Sequence, residues 1–144
     1  MCYNIKDVFD IVSKVAAGAG VLIAALTYSR QIRIKHGEWL QSLFEKFFEN
    51  ENFKEVRSWL DYDELDKKIQ AVDDSEKRKN EEKFTDFLNF FEFIGILHFR
   101  NELNFKEINV LFDYYLKKIK SNHNCQIWID EYGFEKLKTL LDKI

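Results

Sequence analysis

Histidine, cysteine and carboxylate side chains carry most protein chemistry, and this chain spaces them so that few can act together. His36, His98 and His123 lie far apart, and none stands at a zinc-binding spacing such as H-E-x-x-H from another ligand. Cys2 and Cys125 fit no metal or redox pattern and read as two reduced thiols. There is no glycine-rich phosphate loop and no nucleophile elbow. No catalytic residue, metal site or cofactor is therefore expected, and the chain reads as a non-enzyme. Glu92 is the charge of most interest because it sits inside the apolar run Phe90–Leu97. If buried it needs a partner, for which Arg100 or His98 on the same helix are candidates; otherwise it emerges at the rim of a bundle. Lys117, Lys118 and Lys120 form a basic helix end, which the helix dipole favours and which anionic lipid or RNA could also use.

The elements that must position these groups fall into two unlike parts. Ile11 to Ser29 carries a single charge, Lys14, and at a rise of ~1.5 Å per residue spans about 28 Å, close to the ~30 Å of a bilayer's hydrocarbon core. A cleaved signal peptide would place its small residues after the apolar run, whereas Ala16–Gly20 lie inside it. The reading is an uncleaved anchor, with residues 1–10 as a short leading segment, 11–29 as a transmembrane helix and 30–144 as a cytoplasmic helical bundle. Arg30, Arg33 and Lys35 follow the run directly and place that side inward by the positive-inside rule. The helix has two faces. Ser13, Ala17, Gly20, Ala24 and Thr27 make a small, weakly polar stripe suited to close helix packing or to lining a pore. Val12, Val15, Ala19, Leu22 and Leu26 make the bulkier one.

In the remainder, the absence of proline and the scarcity of glycine (five in 144 residues) favour long helices, and no segment alternates at period two. An all-α fold is expected, with the anchor helix continuing past Arg30 to about Glu49. Shorter helices follow around Phe53–Leu60 and Leu65–Ile69. Asp73 and Glu76 suggest a capping box opening a helix that runs from about Glu76 to Phe99. That helix is apolar nearly all round and should be central to the bundle. Asn104 with Glu107 forms a second capping box, Ser121–Asn124 reads as a turn, and Gly133 as a left-handed cap after a short helix around Ile127–Tyr132. Phe84, Phe87, Phe91, Ile94, Phe112 and Tyr115 are the expected core or subunit-interface residues. Fourteen Phe, six Tyr and three Trp exceed what one small domain needs and suggest helix or subunit packing. A net charge of −3 makes nucleic acid an unfavoured partner.

Taken together, the run FLNFFEFIGIL (Phe87–Leu97), the run FDYYLKKI (Phe112–Ile119) and the closing Gly133-Phe134-Glu135-x-Leu137 segment resemble a group of small, anchored bacterial proteins known only as a domain of unknown function. Some of these stand near phage-defence genes. The architecture also resembles the single-span accessory protein of RNA-targeting type VI-B CRISPR systems, which implies a HEPN-like helical domain and a membrane ring that disturbs the bilayer. HEPN ribonucleases use an Arg followed by four to six residues and then a His. Arg30…His36 meets the spacing but stands at the membrane exit. Arg100-Asn101 resembles the start of such a motif, with Lys106 where the His is needed.

The reading is thus a single-pass protein of the bacterial inner membrane that assembles with itself, with lipid and in some settings a defence protein as its partners. The expected function is that of an oligomeric antiphage effector or accessory that forms a pore or perturbs the membrane. Two alternatives stand beside it: a membrane-tethered protein-binding module, and a HEPN-like ribonuclease, active or degenerate.

Overall fold

A computed structural model describes residues 5–144, with side chains for Lys14, Gly18, Gly20 and from Leu22 onward. Its elements are α1 (Ile5–Glu49), α2 (Glu51–Asp61), α3 (Leu65–Ile69), α4 (Asp74–Phe99), α5 (Phe105–Ser121), α6 (His123–Tyr132) and α7 (Glu135–Leu141). No strand occurs among the described residues, so the fold is all-α. The chain divides into two compact units, residues 1–43 and 44–144.

The first unit is helix α1 as far as Leu43. From Leu22 to Lys35 every side chain is exposed, apolar ones included. Among the described residues, no helix is long and apolar enough to cross a membrane. The span read at 11–29 includes Ile11, Val12, Ser13, Val15, Ala16, Ala17, Ala19 and Val21, whose side chains lie outside the described residues.

The second unit is a bundle in which α4 is central, packing most extensively on α7 and then on α2 and α3. Phe47, Phe84, Phe87, Phe91 and Phe112 are its largest fully buried side chains. Polar punctuation sets the helix starts. Asn50 accepts from the Phe53 amide at 3.1 Å to open α2. Asn104 and Glu107 form both arms of a capping box, at 2.9 and 3.1 Å. At α4 the expected box is only half present: Asp73 accepts from Ser75 at 3.0 Å, and the helix starts at Asp74. The expected turn at Ser121–Asn124 shrinks to Asn122 alone. Its side chain accepts from the Cys125 amide at 3.0 Å, so α6 begins at His123 instead of near Ile127. Gly133 takes the left-handed conformation (φ 76°) that ends α6.

Helix α7 has no side-chain cap of its own. Its second and third residues, Lys136 and Leu137, donate their amides to the Glu92 carboxylate at 3.1 and 2.7 Å. A carboxylate from α4 therefore serves the orphan donors and positive end of another helix. Glu92 is half-buried, in keeping with the expected position at the rim, and its partners are these backbone amides and neither Arg100 nor His98. Next to it, a Cβ on Gly95 would lie 2.7 Å from the Lys136 carbonyl carbon and oxygen, so only glycine allows this approach of α7.

Gly95→Ala should therefore lower the bundle's stability by about 1–3 kcal/mol, read as a fall in the urea midpoint. Gly37→Ala, whose methyl would meet nothing within 4 Å, should instead favour helix by about 0.5–1 kcal/mol, read as increased far-ultraviolet helicity.

Candidate functional site

Of the small stripe read for the anchor, the side chains of Ser13 and Ala17 lie outside the described residues. Gly20, Ala24 and Thr27 are exposed. A Cβ on Gly20 would meet nothing within 4 Å, so the helix surface there is open to close approach. The Thr27 hydroxyl donates to the Ile23 carbonyl one turn back at 2.8 Å, which occupies its proton within its own helix. Leu22, Ile23, Leu26 and Tyr28 are about two-thirds exposed (64–71%). Arg30, Arg33 and Lys35 follow, all exposed, and His36 packs against Trp39 with ring centroids 5.5 Å apart. Among the described residues, Gly20, Ala24 and Thr27 of the predicted stripe and the basic exit Arg30, Arg33 and Lys35 are all uncovered.

In the bundle, Phe84, Phe87, Phe91, Ile94 and Phe112 are buried, and Tyr115 is half-buried. Phe87, Phe91, Phe112 and Tyr115, with Phe90, surround Phe47 near the end of α1, their rings 5.2–5.7 Å from its own, whereas Phe84 packs on Trp128. Most of these pairs are edge-on or tilted, the favoured arrangements for aromatic quadrupoles.

Sequence reasoning missed the residue that completes this cluster. Arg57 is only 7% exposed. Its guanidinium donates to the Phe47 carbonyl, and to that of Phe48 at 3.0 Å, two acceptors left over at the end of α1. It also lies over the rings of Phe47 and Phe48, 5.0 Å from each centroid, and 5.9 Å from that of Tyr115. A single arginine in a short amphipathic helix gives no signal of this role in one dimension. Asn80 was also missed: it is buried and donates to the Lys68 carbonyl at 2.8 Å, joining α4 to α3.

The remaining candidates are engaged structurally. Of the basic helix end, Lys117 pairs with Asp113 at 2.7 Å and Lys118 reaches the Leu60 carbonyl at 3.3 Å. Tyr114 donates to Asp61 at 2.8 Å and Tyr115 to the same carboxylate at 3.5 Å, linking α5 to α2. The hydrogen bond to Asp61 raises the Tyr114 pKa, and burial chiefly raises that of Tyr115. Arg100 is exposed, 4.0 Å from Glu102. Cys125 is fully buried, and desolvation pushes its thiol up to about 12, which leaves it uncharged and unreactive. No group of residues that could hold a metal occurs among the described residues.

Residues 14–127 match the model of a domain of unknown function (DUF4760), and the chain belongs to that family. The match includes both aromatic runs that carried the resemblance and stops short of the Gly133–Leu137 segment. No curated protein and no solved structure matches the chain.

Arg57→Met removes the guanidinium and strands two helix-end carbonyls; a loss of about 2–4 kcal/mol in urea unfolding is expected, with Arg57→Lys recovering only part. For Cys125 the sign follows from its raised pKa. Well below pH 9 the thiol is protonated in both states and stability is unaffected. Between 9 and about 12 only the unfolded thiol ionises, so native stability falls as pH rises. Comparing wild type with Cys125→Ala through alkaline urea titrations checks this, since the variant should lose a measurable part of the slope. In a Cys2→Ser background, Cys125 should resist alkylation at pH 8 until the protein is unfolded.

Proposed function

We propose that the protein is a membrane-anchored helical protein that associates with itself through α1 and perturbs the bilayer it occupies. The observation that carries this reading is the uncovered apolar surface of α1 at Leu22, Ile23, Leu26 and Tyr28, ending at Arg30, Arg33 and Lys35. Water is a poor solvent for such a surface, whereas acyl chains or a second α1 cover it. The basic residues then meet anionic headgroups. The sequence continues the apolar run back to Ile11, which brings its helical length to about 28 Å. A single span supplies no neighbour of its own, so the open surface at Gly20 and Ala24 calls for another copy. The role in antiphage defence is what the resemblance to defence-linked anchored proteins implies, and the orientation with the bundle in the cytoplasm of a bacterial inner membrane follows the positive-inside rule.

A second reading keeps the anchor and assigns the activity to the bundle as a tethered protein-binding module. It is favoured by the exposed apolar side chains Phe93, Phe99 and Val110, which are 46, 69 and 77% accessible.

The full-length protein should sediment with membranes and resist alkaline carbonate extraction, and Leu22→Asp with Leu26→Asp should release it. Native mass in mild detergent should show an oligomer that Gly20→Leu disrupts. Complete recovery of the wild type in the soluble fraction would overturn the anchor. Replacing 11–29 with an unrelated apolar helix separates the two readings: membrane permeabilisation is lost if α1 forms the pore, and activity persists if it is only a tether.

A further inference from the structure

The C-terminal end of α4 and one face of α7 border a cavity of about 340 Å³. Polar groups converge on it from His98, Asn101, Lys136 and Lys143, and the exposed ring of Phe99 supplies an apolar wall. The volume lies at the low end of the ~300–1,000 Å³ typical of small-molecule sites.

Two of its side chains are held in place. The His98 Nδ1 lies 3.0 Å from the Leu103 carbonyl, which can only accept, so Nδ1 carries the proton. Nε2 is then the acceptor, and the Lys143 ammonium donates to it at 2.7 Å. The imidazole thus holds the Lys143 ammonium at the cavity. Lys136 is fixed through its backbone by Glu92 and by the approach of α7 to Gly95. Its ammonium lies 4.3 Å from the centre of the Phe99 ring. Asn101 adds a side-chain amide from a left-handed turn (φ 59°) that ends α4.

Lys83, Lys117 and Lys138 each lie 2.5–2.7 Å from a carboxylate. At the cavity, Lys136 and Lys143 contact a ring and an imidazole, and none of the lining residues is acidic. The lining therefore keeps two positive charges in a chain of net charge −3. Lysine ammonium groups are compact point charges that bind phosphate oxygens well. We infer that this cleft binds the phosphate monoester group of a small ligand, with the two ammonium groups on its oxygens and its organic part against Phe99. A soluble phosphorylated metabolite and a phosphatidic acid headgroup both present that chemistry.

The test is calorimetric titration of the full chain in nonionic detergent. The probes are inorganic phosphate, glycerol 3-phosphate, and phosphatidic acid in mixed micelles. Saturable binding is expected, weakened about tenfold or more by Lys136→Ala with Lys143→Ala and spared by Lys138→Ala. Binding of the soluble probes assigns a metabolite, and binding of the micellar probe alone assigns a headgroup. Lys136→Arg with Lys143→Arg should retain binding and serves as the folded control. Absence of saturation for every probe up to about 10 mM overturns the site, as does equal affinity in the wild type and the double alanine variant.

Discussion

The bundle depends on a buried arginine that finishes a helix belonging mostly to the other unit. A helix end buried among aromatic rings leaves carbonyl groups that water cannot reach, and each would cost on the order of 1–3 kcal/mol if left unmade. Arg57 meets two of them, at Phe47 and Phe48. The cost of desolvating its charge is offset by those carbonyls, which carry the negative end of the helix dipole, and by the faces of three rings. With the end of α1 satisfied, Phe47 can occupy the centre of the aromatic cluster, and α2, α4 and α5 each present rings to it. Lysine at position 57 would supply the charge without the planar fork that reaches two carbonyls at once.

A similar exchange operates at the opposite side of α4. Glu92 would be an unfavourable residue on a largely apolar helix, yet it caps α7, a helix of seven residues with too little intrinsic stability to stand alone. Gly95, one turn along, removes the side chain that would keep the two backbones apart. Both residues depart from what makes a good buried helix, and both departures serve the same contact. The position of Lys136 depends on that contact, so the cleft beside α7 shares its structural basis with the fold.

What could be read in one dimension follows from the range of each interaction. Helix starts governed by neighbours were legible: the Asn104–Glu107 box and the Gly133 cap act within four residues, and their signals sit side by side in the chain. The central place of α4 was legible because an all-round apolar helix has few other places to be. The box at Asp73 failed in detail because an Asp side chain can reach either the second or third amide, and here it takes Ser75. The partners of Glu92, Arg57 and Asn80 were not legible, since each bridges elements whose pairing is set by tertiary packing. The cleft was hidden for the same reason. His98 lies on α4, Lys136 on α7 and Lys143 just after it, with α5 and α6 between, and none of the spacings between them repeats a known motif.

The two units solve different solvation problems. The bundle buries its central aromatic rings by interdigitation and pairs the buried Arg57 and Asn80 with its own carbonyls. The stretch of α1 from Leu22 to Ile34 hides nothing, although its apolar residues are as costly to hydrate as those of the core. Leu22, Ile23, Leu26 and Tyr28 are the large apolar side chains left uncovered on this length, and Arg30 and Arg33 follow them directly. The small residues at Gly20 and Ala24 refine the argument. They offer little apolar area of their own, but they leave room for another backbone to come close.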